Sequence, residues 1–511
     1  MKYEKLKSII LLLLIVSSLV MSAFVWLSEE LWPTGYNFFI TLKNNNIIRY
    51  VLRWDEADSI PKENLSKPQR LIVTNGSKRT VYYNSDVSFD RVFDVVKGFM
   101  MSSLSEETKV LREMEVGEDE WHSVLRNDEL LDTRYIYVDY SLAFTPRLFA
   151  QVLGIKTTWM EQNLSAVKDF IVAPVGFGGS EILLYARDYR GESIYKYYVD
   201  YPGADALYSA ILDYTEGDTD NYRFSFEQNL HTAEGGVTGS RNTNSADGGA
   251  TVEQNVLIEP LVIISTKINE TDVIESSNPM SVDAGFNQDA LLSTFRFPHN
   301  AHSHYTDARG VEHFVENYST LKIHQNGLLE YTSVDEKRGI DVSGEEAGAS
   351  TLYESLNNAI EFSENVWRSV MPSTPFNVLV TSNLIENSEK PGVYRFTLDY
   401  YFGGNPITVD LVGDDFVPMK NAVIIEMANG RITKYRHFIR RYEKTGESVS
   451  NIPMVPALDG IINKLRQNEG EIIVSDIFLS YIEKEYEPYK APVWCAKTSG
   501  SDEIITYENG G

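Results

Sequence analysis

Two stretches near the C-terminus, GVYRFTLDYYFGGNPI (Gly392–Ile407) and AVIIEMANGRITKYRHFIRRY (Ala422–Tyr442), decide the fold class. Along both, β-branched and aromatic residues alternate with polar ones, as in long strands with one buried face. The amphipathic segment Leu352–Val370 reads as a helix before them, and FNVLVTSNLI as another strand. A shorter version of the pattern follows. Val455–Arg466 reads as a helix, IIVSDIFLSYIE as a strand or mixed segment, and APVWCAKTSGSDEIITYE as a hairpin turning near Gly500. A helix and then antiparallel hairpins, twice over, predicts an α+β C-terminal domain (350–511) of two related modules, 350–445 and 451–511.

Working outward, the charged, Gly-bearing run Asp335–Ser350 marks a domain boundary. Before it the reading is again antiparallel sheets with packed helices. An N-terminal domain covers 33–175 and a central domain 176–335. The polar, Gly-rich run 232–251 within the latter reads as a flexible loop. Asn75-Gly76 and Asn326-Gly327 each sit between short apolar strands, a strong hairpin signal. FDRVFDVVKGFMMSSL (Phe89–Leu104) has helical spacing, with Asp86 or Ser88 as its cap.

The N-terminus has a different character. Ser8 to Leu27 is twenty residues without a charge, long enough to span ~30 Å as a helix. Lys2, Lys5 and Lys7 precede it. The positive-inside rule then places a cytoplasmic tail (1–7), a single transmembrane helix (8–27) and an extracytoplasmic remainder. A cleaved signal peptide is the competing reading, with Val20-Met21-Ser22 as its cleavage candidate. Ser18 and Ser22, with Leu11, Ile15 and Val25 on the same stripe, form a candidate contact face for a partner helix.

The chain has 511 residues and a net charge of −27. The first 27 residues carry +2, which leaves −29 on the 484 that follow. Such acidity argues against a nucleic-acid groove. A single cysteine, Cys495, excludes an intrachain disulfide and a Cys-ligated zinc site. No catalytic or cofactor motif is present: G-x-S-x-G, H-E-x-x-H and a Lys-bearing phosphate loop are all missing. Gly176-Phe177-Gly178-Gly179-Ser180 reads as a turn between strands. The metal candidates are His299, His302 and His304 in HNAHSHYTDARGVEH, with Asp307 or Glu312 to complete a site. Scattered surface or packing roles are the competing reading.

Several segments resemble the YycH family of Firmicutes. KLKSIILLLLIVSSLVMSAFVW is similar to the family's N-terminus. FDRVFDVVKGFM resembles a helix of its first extracellular domain, and YSTLKIHQNGLLEYTS its Y-r-x-L-x-x-x-x-x-G-x-L-x-Y hairpin. GVYRFTLDYYFGGNPI and YKAPVWCAKTSGSDEIITYENG resemble strands of modules shared with the companion YycI. The resemblance implies a membrane-anchored regulator and not an enzyme. It implies, as partners, a cell-wall sensor histidine kinase (WalK, also called YycG) and a YycI-like protein, with a homodimer as a further assembly. The alternative function is an anchored extracellular enzyme or ligand-binding protein acting on cell-wall material.

Overall fold

The computed structural model describes residues 67–511 apart from 77, 85–87, 106–107, 127–133, 157, 191–192, 216–221, 229–255, 266–269, 282–285, 298–301, 343–350, 383, 385–391, 412–417, 468–471, 485–486, 500–503 and 508–511. The anchor 8–27, the loop 232–251 and His299 lie outside the described residues.

The first part runs β1 (Arg70–Asn75), β2 (Lys78–Tyr83), α1 (Phe89–Ser103), β3 (Val110–Val116), α2 (Glu118–Arg126), β4 (Arg134–Phe144), α3 (Pro146–Leu153), β5 (Val167–Pro174), β6 (Glu181–Asp188), β7 (Ile194–Asp200) and α4 (Ala204–Thr215). The strands pair antiparallel in one seven-stranded sheet, ordered β2-β1-β4-β5-β6-β7-β3. Alternation builds a core on each face. Leu71 and Val73 pack with Phe93 and Phe99 of α1 and Phe149 of α3, while Ile72 between them packs with Trp121 of α2. The β1–β2 hairpin turns at Asn75-Gly76, where Gly76 takes a positive φ of 58°. Ser88 stands at the N-cap of α1 without a side-chain bond; Asp86 lies outside the described residues. The Gly176–Ser180 turn joins β5 to β6, as expected, and Gly178 N–H donates to Asp205 at 2.6 Å.

The chain continues through β8 (Tyr222–Phe224), β9 (Val256–Ile258), β10 (Ile263–Ser265), β11 (Glu270–Ser277), α5 (Gln288–Thr294), β12 (Ser303–Thr306), β13 (Glu312–Val315), β14 (Ser319–Ile323), β15 (Leu328–Ser333) and β16 (Ile340–Asp341). Then follow α6 (Leu352–Val370), β17 (Val378–Val380), β18 (Val393–Phe402), β19 (Asn405–Val409), β20 (Val423–Ala428), β21 (Arg431–Phe438), β22 (Arg441–Ser450), α7 (Met454–Leu465), β23 (Ile472–Glu483), β24 (Tyr489–Lys490), β25 (Val493–Thr498) and β26 (Ile504–Tyr507). Most of these strands form a 14-stranded sheet with the path β12-β13-β14-β15-β21-β20-β18-β19-β23-β25-β26. It is antiparallel except where β23 runs parallel to β19 and to β9. Strands of both C-terminal modules therefore meet in it.

Each opening stretch is a hairpin and not one long strand. The first turns at Gly403-Gly404 and the second at Asn429-Gly430, all four with positive φ. Asn429-Gly430 carries the same signal as Asn75-Gly76. α6 begins in a capping box: Glu354 N–H donates to Thr351 Oγ1 (3.3 Å), and Thr351 N–H to Glu354 Oε2 (2.9 Å). Its buried stripe, including Leu356, Ala359, Ile360, Val366 and Trp367, joins the core under the sheet. α7 buries Ala457, Leu458 and Ile461 in a separate core with Val474, Ile477 and Trp494. The architecture is α+β with large, mostly antiparallel sheets.

Candidate functional site

The histidine run does not converge among the described residues. His302 packs edge-on to Phe297 and Phe314. His304 stacks on Phe314 at 4.5 Å, with its Nε2 3.7 Å from Glu312. His313 instead pairs with Asp307 (3.2 Å) and stacks on Tyr305. His324 pairs with Glu330 (3.0 Å). Each ring packs on an aromatic ring or pairs with a carboxylate, His302 and His304 sharing Phe314. No group of three His, Cys, Asp or Glu residues able to hold a metal occurs among the described residues. Cys495 is buried in β25, and burial pushes its thiol up to about 12, which leaves it protonated and unreactive. No described helix is long and apolar enough to cross a membrane.

The structure brings other residues together. A cavity of about 550 Å³ opens between the β1–β2–β4 side of the first sheet and strands β17, β18, β19, β23 and β25 of the second. That size is typical of small-molecule sites, ~300–1,000 Å³. Leu142, Phe144, Phe376, Leu479 and Trp494 give it apolar walls. At its inner wall lies a buried ion triad. Arg70 Nε donates to Asp139 at 2.6 Å, and Arg70 Nη1 to Asp476 at 3.3 Å. Burial disfavours the Arg70 charge, but the two carboxylates outweigh burial and hold its pKa above the ordinary value. Asp139 belongs to the first sheet and Asp476 to the second, so the triad joins them.

Asp399 of β18 lines the same cavity. Its Oδ1 accepts from Ala422 N–H (2.8 Å) and its Oδ2 from Asn421 Nδ2 (3.0 Å). Burial nevertheless raises its pKa to about 6. It has no ion-pair partner among the described residues; Lys497 acts on it only at longer range. Behind the wall, His437 is fully buried. Tyr400 Oη donates to Phe438 O (3.0 Å) and so accepts from His437 Nε2–H (2.7 Å); Nδ1 then accepts from Tyr435 Oη (2.8 Å). Burial lowers the His437 pKa to about 3 and keeps the ring neutral.

None of these residues is marked by a motif. Arg70, Asp139 and Asp476 are far apart in sequence, and Asp399 is one acid among 73 Asp and Glu. His437 did carry a signal, because Tyr435 and His437 alternate with the charged Lys434 and Arg436 and so share the face of the strand away from them.

No family model matches the chain. An uncharacterized protein of Methanocaldococcus jannaschii is 29% identical over 128 residues, 23% of this chain and 25% of that protein. The chain thus spans about a quarter of the length of the curated relative it matches. The crystal structure of YycH from Bacillus subtilis superimposes with a TM-score of 0.52 at 10% identity, covering 87% of this chain and 96% of that one. At that identity the likeness speaks for architecture alone, and the chain has a YycH-like fold.

Proposed function

We propose that this protein is a YycH-type regulator, anchored by residues 8–27 and acting outside the cytoplasmic membrane on a WalK/YycG-like sensor histidine kinase, together with a YycI-like companion. The observation that carries the reading is the YycH-like fold over 87% of the chain. The charge-free run Ser8–Leu27 and its basic flank agree with it. A body on the outer side influences a kinase through the bilayer or outside it. A neighbour that prefers one of two kinase helix arrangements biases the equilibrium by its differential affinity for them. The stripe Leu11, Ile15, Ser18, Ser22 and Val25 is the proposed membrane contact.

Affinity capture from native membranes tests this. Recovery of a multi-domain histidine kinase, reduced by Ser18→Ile with Ser22→Ile, is the expected result. Capture without any kinase overturns the reading. A second function, ligand binding by the extracytoplasmic part, is favoured by the cavity and by Asp399, which has no ion-pair partner among the described residues.

A further inference from the structure

We propose that the cavity is a binding site for an extended peptide segment of another polypeptide, which adds as a strand to the free edge of β17 and directs a basic side chain to Asp399. The geometry of β17 is the first observation. Successive residues of a strand point to opposite faces, so a cavity over one face touches every second residue. Here Val378, Leu379, Val380 and Thr381 all line the same cavity. The strand therefore offers it an edge.

Backbone bonds show which groups that edge presents. Tyr401 N–H donates to Asn377 O (3.1 Å) and Thr381 N–H to Thr397 O (2.9 Å), so residues 377, 379 and 381 turn toward β18. Val378 and Val380 turn their N–H and C=O groups the other way. Among the described residues these groups have no backbone partner, and β17 pairs with β18 alone. An added strand would satisfy them, as in other peptide sites built on sheet edges.

Charge selects the occupant. Of the wall's cations, Arg70 is engaged by Asp139 and Asp476 and Lys67 by Asp90 at 2.7 Å, while Lys497 lies over the Phe478 ring at 5.4 Å and makes no ion pair with Asp399 among the described residues. Glu364 is held by Arg368 at 2.6 Å. Asp399 lacks such a partner. It lies directly across from Leu379, so the two side chains share a face. A peptide residue opposite Leu379 on the outer side shares that face too. At ~4.8 Å per strand it sits ~10 Å from the Asp399 backbone, within the combined reach of a lysine or arginine and an aspartate. The site draws on the cavity alone and needs no kinase, so it can fail or stand separately from the regulatory reading.

The test uses the full chain in detergent and three fluorescent, acetylated pentapeptides that alternate valine with threonine around a central lysine, glutamine or glutamate. Saturable anisotropy is expected for the lysine peptide, with at least ~10-fold weaker binding of the glutamate one. Asp399→Asn should bring the three affinities together. Val380→Pro removes an outward N–H at an edge where proline is tolerated. It should abolish binding while the melting temperature stays near that of the parent. The proposal is overturned if no peptide saturates, if lysine and glutamate peptides bind alike, or if Val380→Pro binds normally. It is equally overturned if the chain dimerises in sedimentation and Val380→Pro breaks the dimer, since the edge would then serve a second copy.

Discussion

Two titratable side chains, the fully buried His437 and the part-buried Asp399, set opposite pH responses. His437 is neutral when folded, with a pKa near 3 against an ordinary 6.5. The unfolded chain binds the extra proton between those values, so this residue makes stability fall as pH drops below about 6.5. From pH 7 to 5 the loss should be ~2 kcal/mol, and His437→Asn should remove that part of the slope in urea titrations. Parallel slopes for parent and variant would sink the assignment. Asp399 behaves the other way. Its folded pKa, about 6, exceeds the ordinary 3.8, so the folded state holds its proton longer. Stability should decline as pH rises from about 4 to 6, by on the order of 2 kcal/mol relative to Asp399→Asn. If the gap between the two proteins stays constant over that window, Asp399 is not the titrating group.

At the scale of elements, local signals did much of the work. The Thr351–Glu354 capping box starts α6 where the amphipathic pattern predicted a helix. Thr351→Ala should cost ~1 kcal/mol, read as a lower denaturation midpoint with an unchanged slope. The hairpins at Asn75-Gly76 and Asn326-Gly327 are where those dipeptides predict them. A side chain at Gly327 would meet Ile439 O at 2.8 Å, and its φ is 95°, so two requirements fix glycine there. β17 was legible only in part. FNVLVTSNLI reads as ten residues of strand, yet only Val378–Val380 form one; β18 itself runs on to Val393, but the chain leaves it after Thr381 and Leu384 bridges Phe144 of the first sheet.

At the scale of the whole molecule, the Arg70–Asp139–Asp476 triad ties one sheet to the other. Arg70→Ala leaves two carboxylates uncompensated in a buried wall and should destabilise by ~3–5 kcal/mol. A loss below ~1 kcal/mol would mean that solvent already reaches the triad. Replacing all three together by apolar residues of similar volume should be far milder, because a buried ion network contributes little net stability once its charges go together.

The sequence by itself determined the α+β class, the hairpin turns and the helix with its cap. All of these rest on residues within a few positions of one another, where spacing and turn chemistry act directly. The charge-free run at 8–27 is also legible in this way. Of the histidines clustered in sequence, the described ones form no group of metal ligands: His302 and His304 share Phe314, and His313 and His324 pair with Asp307 and Glu330. The cavity, the place of Asp399 in its wall and the ion triad were decided only by tertiary structure. Their members are separated by tens to hundreds of residues, and the burial that raises the Asp399 pKa exists only once the sheets have packed.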